Sequence, residues 1–283
     1  MKHTCDLHTH SVFSDGTYTP EELIDEAVSM GLSAIALCDH NTIDGLPDFI
    51  KAAKGKPIDA ICGAEFSVDY VGIELHLLGL FLEEKYFNTI SDLMNAYIAR
   101  KEQSNIDLVA ALARDGYILD YNKMKEKSPT GKINRAHIAA ALTEAGYTES
   151  IKQAFQKLLA PEIGYYKEPK RITVWEMLTF LRSIHAVPVL AHPFLNLSES
   201  ELLEFLPKAK ECGLVGMETA YSTYDEATTA LATSIAENFG LLHSGGSDFH
   251  GTNKPHIRLG VGTGDLYVPA SWSVNLKATL QIP

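Results

Sequence analysis

Apolar, strand-like runs recur along the chain, and each carries a potential metal ligand at or near its end. The run at residues 3–9 delivers Asp6 and His8, with His10 just beyond. SAIALCDH ends in Asp39 and His40, IDAICGAEFSV holds Glu65, and IELHLLGLFL holds His76. AVPVLAHP presents His192, GLVGMET contains Glu218, and LLHSGGSDFH closes on Asp248 and His250. Side chains alternate in direction along a strand, so His8 and His10 project to one side, and Asp248 and His250 repeat that spacing. A lone histidine on an apolar strand, such as His76, is more often a satisfied core or edge residue than a ligand. Two spaced pairs, together with Asp39-His40, Glu65 and His192 at separate strand ends, do not read as packing.

Helical stretches separate these runs. Thr19-Pro20-Glu21-Glu22 supplies an N-cap, a proline at the first helical position and early acids, and Leu23, Ile24, Ala27 and Val28 then form one apolar face ending at Gly31. IDAICGAEFSV and IELHLLGLFL are expected to pair as a hairpin across residues 70–72. From Glu83 to Lys167 no convincing strand occurs, and segments such as NRAHIAAALTEAG read as helix. The β/α rhythm resumes at Thr173, where VWEMLTFLRSIHA is amphipathic, and a loop-rich tail is expected after Leu259. The expected architecture is therefore α/β: a barrel-like domain at 1–82 and 168–283, split in sequence by an all-helical cap at 83–167. In a β/α barrel the C-terminal ends of the parallel strands gather on one face, so the ligand candidates should converge there.

Length and composition agree with this reading. The 283 residues fit one α/β barrel or two ordinary domains, and 46% hydrophobic against 21% charged residues suffices for a core. The formal net charge of −12 argues against a surface that coats duplex DNA or an anionic membrane. No apolar run approaches the roughly 20 residues of a membrane span, and MKHTCDLHTH lacks the apolar stretch of a signal peptide, so a cytoplasmic protein is expected. Cys5, Cys38, Cys62 and Cys212 are widely spaced without a CxxC pair and read as buried free thiols.

Imidazole and carboxylate donors without an evident thiolate suit manganese, zinc or iron. The donors exceed what one ion needs, so two or three divalent ions are expected. Such a centre bridges a hydroxide at neutral pH and clamps the attacking and leaving oxygens of a phosphoryl transfer or hydrolysis.

Taken in order, DLHTHSVFSDG at 6–16, CDHNT at 38–42, GAE at 63–65, LAHP at 190–193 and GGSDFH at 245–250 resemble the PHP (polymerase and histidinol phosphatase) family. The resemblance implies a distorted (β/α)7 barrel with a two- or three-metal site and phosphoesterase activity. Carried over position by position, it implies a first metal on His8, His10, Glu65 and Asp248, and a second on Asp15, His40 and His250. Glu65 would bridge to a third metal that also uses His76 and His192.

Asp15 stands where the histidinol-phosphatase type usually has histidine. With the helical insertion, it resembles the branch that acts on nucleotides phosphorylated at both 3′ and 5′ positions, or that trims short RNA from its 5′ end. The resemblance further implies substrate-phosphate contacts at Arg135 and His137. Lys167 and Arg171, where the insertion returns to the barrel, are additional candidates, and Tyr165, Tyr166 and Tyr221 are candidates to stack a base. Asp15 and His250 are the candidates for acid–base or positioning work besides the metal-bridging hydroxide. Asp6 and Asp39 suit partners that orient imidazoles, and Glu218 matches none of the family's ligands.

The expected activity is hydrolysis of a phosphomonoester on a small nucleotide-like substrate or short oligonucleotide. Alternatives are a histidinol-phosphate phosphatase, an amidohydrolase-like C–N hydrolase and a non-catalytic metal-binding accessory module. The sequence carries no signal for oligomeric state.

Overall fold

In a computed structural model of the chain, residues 4–127 and 133–281 are described. Residue 3 of the first expected strand and residues 128–132 of the expected insertion lie outside them. Seven strands form one sheet whose spatial order equals the sequence order: β1 Cys5–Thr9, β2 Ala34–Leu37, β3 Asp59–Tyr70, β4 Ile73–Leu80, β5 Val187–Leu190, β6 Gly216–Tyr221 and β7 Leu242–Gly246. The helices among the described residues are α1 Pro20–Ser29, α2 Leu46–Ala53, α3 Phe87–Arg114, α4 Tyr121–Lys127, α5 Arg135–Glu144, α6 Ile151–Ala154, α7 Val174–Ser183, α8 Glu199–Glu211, α9 Glu226–Asn238 and α10 Ala270–Ala278.

The sheet curls until its two edges nearly meet. Thr9 and Phe249 form a parallel bridge, the Asp248 amide donates to the His8 carbonyl at 2.9 Å, and the His10 amide donates to the Phe249 carbonyl at 2.9 Å. The result is a distorted (β/α) barrel. Its strands are parallel except at β4, which runs antiparallel to both β3 and β5. The expected hairpin closes through Val71 and Gly72, both with positive φ. His76 therefore does not sit at the C-terminal end of a parallel strand, as the simple barrel scheme requires. It lies in the first half of a reversed strand, opposite Ser67 and two pairs along from Glu65, and the reversal carries it to the ligand end.

Barrel and ligand site share one face. Glu65 stands opposite Leu78 and Gly63 opposite Leu80, so the β3 face that carries Ile61 carries Glu65, and the β4 face with Leu78 and Leu80 carries His76. Ile61, Leu78 and Leu80 join Cys5, Leu7, Val187 and Val189 in the apolar cluster inside the barrel. Strand β1 departs from strict alternation. Its pairing with β2 slips between Asp6 and Thr9, and Leu7 joins the apolar cluster although His8 beside it reaches the polar end.

Local capping sets the helix starts. The Thr19/Glu22 pair forms a capping box at α1, and Thr173/Glu176 and Ser198/Glu201 repeat it at α7 and α8. The tail after Leu259 is not simply loop-rich: it contains α10, whose Leu276 is buried with Val268 in the barrel cluster.

The chain divides into two compact units, residues 1–91 with 172–283, and residues 92–171. The second contains helices joined by turns and loops, with no strand among its described residues, and has its own core of Leu108, Leu112, Ile138, Leu142, Leu158 and Leu159. No helix among the described residues is long and apolar enough to cross a membrane.

Candidate metal centre

Glu65, fully buried on β3, is surrounded by imidazoles on both oxygens. Oε2 lies 3.1 Å from His8 Nε2, 3.3 Å from His10 Nε2 and 3.1 Å from His40 Nδ1. Oε1 lies 2.7 Å from His76 Nδ1 and 2.9 Å from His192 Nε2. The carboxylate thus divides the donors into two sets that share one acid. Burial opposes ionisation of Glu65, but the His8 charge and the surrounding imidazoles hold its carboxyl well below the usual range.

Asp248 follows β7 with φ of 54°. Its Oδ1 approaches His10 Nε2 at 3.1 Å, His250 Nδ1 at 3.4 Å and His8 Nε2 at 3.7 Å. Asp15, on the loop between β1 and α1, is 54% exposed at its side chain and lies 3.2 Å from His250 Nε2, 3.8 Å from His10 Nδ1 and 3.9 Å from His40 Nε2. The donor atoms of His8, His10, Glu65 and Asp248 all fall within 4.8 Å of one another, as do those of His10, Asp15, His40 and His250, and those of His40, Glu65 and His76. The first group coincides with the first expected ligand set. The second adds His10 to the expected trio, and the third holds His40 in place of His192, which meets the cluster through its contact with Glu65.

The chemistry of these donors fits divalent ions. Among the described residues, the buried side-chain polar atoms without a hydrogen-bond partner are His8 Nε2, both ring nitrogens of His10, Glu65 Oε2, His76 Nδ1, His192 Nδ1 and His250 Nε2, with only Tyr121 Oη and Ser244 Oγ elsewhere. Such an orphan costs about 1–3 kcal/mol. Their concentration in one cluster is what a group of residues that could hold metal ions presents. Burial lowers the basicity of His10 and His76, yet nearby carboxylates, Asp248 and Glu65 for His10 and Glu65 and Glu74 for His76, hold both protons up to about 9. His40 goes the other way, to about 4, because burial and the neighbouring His10 outweigh Glu65.

A second layer holds the cluster in place. Glu218, buried on β6, sets Oε1 3.0 Å from His8 Nδ1 and accepts the His192 amide on Oε2 at 2.7 Å. That amide matters because His192 has an unusual φ of 27°. Asp6 and Asp39 do not orient imidazoles as expected. Asp6 accepts from the amides of Ser247 at 2.9 Å, Gly260 at 2.8 Å and His8 at 3.3 Å. Asp39 accepts from the Ser11 amide at 2.8 Å and from the hydroxyls of Ser11 and Ser14, both at 2.6 Å. Both acids lock ligand-bearing loops through main chain and serine, contacts that spacing along the sequence does not reveal. Gly246 permits close approach of β7 to β1: a Cβ there would stand 2.5 Å from the Cβ and the amide nitrogen of His8.

The remaining candidates have other partners. In the helical unit, the Arg135 guanidinium lies over the Tyr166 ring at 4.2 Å. His137 Nδ1 accepts the Asn134 amide at 3.2 Å, completing the cap of α5. Lys167 accepts a hydrogen bond from Ser104 through its carbonyl, and Arg171 pairs with Glu168 at 2.7 Å. Tyr165 is bonded to Asp115. Tyr221 is buried with its hydroxyl on Asp248 Oδ2 at 2.7 Å, so it is a support for a ligand rather than an open stacking surface. Lys254, which no sequence pattern singles out, also reaches Asp248 Oδ2 at 2.7 Å. Its only sequence signal is its place in the loop after Asp248-Phe249-His250.

Comparison with known proteins adds to this geometry. The family model described as PHP domain matches residues 6–179. The chain is 31% identical over 250 residues to a 5′-3′ exoribonuclease of Haemophilus influenzae, covering 87% of this chain and 89% of that protein. It is 26% identical to a phosphoribosyl 1,2-cyclic phosphate 1,2-diphosphodiesterase of Eggerthella lenta, covering 89% and 97%. It is 28% identical to a 3′,5′-nucleoside bisphosphate phosphatase of Chromobacterium violaceum, covering 87% and 86%. Among solved structures, a protein of Bifidobacterium adolescentis assigned as a metal-dependent phosphoesterase superposes with a TM-score of 0.68 at 26% identity, covering 98% of this chain and 96% of that one.

Proposed function

The chain belongs to the PHP family, and from that premise we propose that it hydrolyses the phosphomonoester of a small nucleotide-like substrate such as a nucleoside 3′,5′-bisphosphate. The observation that carries this reading is the crowding of five imidazoles, from His8, His10, His40, His76 and His192, around the two oxygens of Glu65, with His8 Nε2, His10 Nε2 and His76 Nδ1 otherwise unpartnered. Relatives named as an exoribonuclease and as a bisphosphate phosphatase support the substrate class.

In this reading His8, His10, Glu65 and Asp248 would hold one ion and Asp15, His40 and His250 a second. His76 and His192, with Glu65, would hold a third. Manganese, zinc and iron suit the donors. When bound, such ions supply Lewis-acid charge at the phosphoryl oxygens and ionise a water near neutral pH. The protein's own part is placement. Glu218 orients His8, Asp6 and Asp39 hold the loops, and Asp15 and His250, side by side at the exposed edge, are assigned to positioning or acid–base work at the substrate. Arg135 and His137, with Lys167 and Arg171, are assigned to substrate phosphate on the family resemblance. A cytoplasmic location and a small substrate in place of duplex DNA belong to the same reading, and the four cysteines, all free, suit a reducing compartment.

A phosphodiesterase is the second reading, favoured by the Eggerthella lenta relative. The test is hydrolysis of adenosine 3′,5′-bisphosphate, AMP, histidinol phosphate, a ribosyl 1,2-cyclic phosphate and short 5′-phosphorylated RNA, read as released phosphate for the monoesters and by chromatography of the products for the cyclic ester and the RNA, with manganese restored to chelated protein. Release from the bisphosphate well above that of His8→Ala protein is expected. If no monoester is turned over faster than by that variant, the proposal fails, and ring-opening of the cyclic ester alone would leave the second reading.

A further inference from the structure

One oxygen of Asp248 is held twice. Tyr221 donates its hydroxyl to Oδ2 at 2.7 Å and Lys254 donates its ammonium to the same atom at 2.7 Å, while Oδ1 faces the imidazoles. Tyr221 is buried, whereas the Lys254 side chain is 36% exposed. Among the ion pairs of the described residues, Lys254 is the only lysine or arginine to reach Asp15, Glu65, Glu218 or Asp248; every other ion-pair partner of these acids is a histidine.

That difference has a chemical consequence. A histidine that ligates an ion does so as neutral imidazole, so the histidines contribute no lasting positive charge to a loaded centre. Lys254 is not one of these ligands. An ion held by Asp248 would weaken that carboxylate's hold on the ammonium, and Tyr221 would still satisfy Oδ2 once the lysine left. The turn that carries Lys254 is tied to the loop of Asp15: Asn253 Nδ2 donates to the Asp15 carbonyl at 2.8 Å and the Thr252 amide donates to Thr17 Oγ1 at 2.9 Å. Gly251, with φ of 64°, is required for this, because a Cβ there would meet Thr17 Oγ1 at 2.1 Å. The ammonium is thereby kept at the exposed edge of the cluster, on a flexible stem.

We propose that Lys254 is a substrate-binding residue whose ammonium passes from Asp248 Oδ2 to a non-bridging oxygen of the phosphate being hydrolysed, leaving Tyr221 to hold Asp248. This rests on the phosphoesterase reading above. The probe is inorganic phosphate titrated into manganese-loaded protein, alongside metal content and steady-state kinetics on the best ester. Lys254→Met is expected to keep the wild-type manganese content and to weaken phosphate binding about tenfold or more, the scale of one charge-assisted hydrogen bond, with KM rising in parallel. Lys254→Arg should recover part of the loss. Tyr221→Phe should lower manganese retention and leave phosphate binding per loaded molecule nearly unchanged.

Loss of manganese in Lys254→Met would make the lysine a mere prop for Asp248 and overturn the proposal, as would wild-type phosphate affinity in that variant. The two readings fail separately. A wild-type protein that hydrolyses no ester, yet binds phosphate through Lys254, would sink the assigned reaction and leave this contact standing.

Discussion

Nδ1 of His8 lies 3.0 Å from Oε1 of Glu218, with both side chains fully buried. The pairing engages one ring nitrogen and leaves Nε2 turned toward Glu65 and Asp248. Because the other oxygen of Glu218 holds the His192 amide, one acid positions donors on both sides of Glu65.

Glu218→Gln should therefore weaken manganese affinity by about 10–100-fold while the fold persists, the usual loss when a partner of a ligating imidazole is removed. Metal titration with circular dichroism as the folding control reads this directly. Unchanged affinity would show the pair to be an ordinary core contact.

Metal loading should release protons. In the metal-free protein His10 and His76 keep theirs up to about 9, so both are charged at pH 7.5 and must lose a proton to ligate. His40, held down to about 4, is already neutral and contributes none. Apparent affinity should rise from pH 6 toward pH 9, with an observed binding heat that depends on the buffer's ionisation enthalpy. Stability of the metal-free protein has the opposite slope. Histidine pKa values raised from 6.5 to about 9 add stability that is fully present below 6.5 and lost as pH climbs through 9. Buffer-independent heats would contradict the assignment of these two residues as ligands.

Gly246→Ala should disturb both stability and metal binding. The added methyl would meet His8 main chain and Cβ at 2.5 Å, atoms that cannot swing aside. The cost expected of such overpacking is about 1–3 kcal/mol. Denaturant unfolding of the metal-free variant gives the first number and manganese titration the second; a wild-type midpoint would mean that β7 and β1 separate without penalty.

Arg135→Ala should raise KM for the best nucleotide by about tenfold with manganese content unchanged, the signature of a lost phosphate contact. Tyr166→Leu should show a smaller effect in the same direction, since the ring lies 4.2 Å from the guanidinium. If metal is lost instead, Arg135 has been given the wrong role.

Much of this site was legible before any coordinates. Strand alternation placed His8 beside His10, and the cap Thr19-Pro20-Glu21-Glu22 marked the start of α1 to the residue, because both depend on neighbours a few positions away. Other features were missed or misread. Asp6 and Asp39 looked like partners for imidazoles and instead hold amides and serines. The segment after Leu259 looked like loop, yet α10 forms there; its apolar residues gain from burial against the barrel more than from helical periodicity. Lys254 is marked only by its place in the loop after Asp248-Phe249-His250.

By itself, then, the sequence determined which donor types stand at which strand ends, since alternation, capping and turn chemistry are local. Only the tertiary structure decided how they are used. The reversal of β4 brought His76 to Glu65, near-closure of the barrel set Asp248 beside His8, and contacts across the fold chose which nitrogen of His8 faces the centre. Glu218 and His8 are 210 residues apart. No periodicity spans that separation, so their pairing exists only once the sheet has curled and packed.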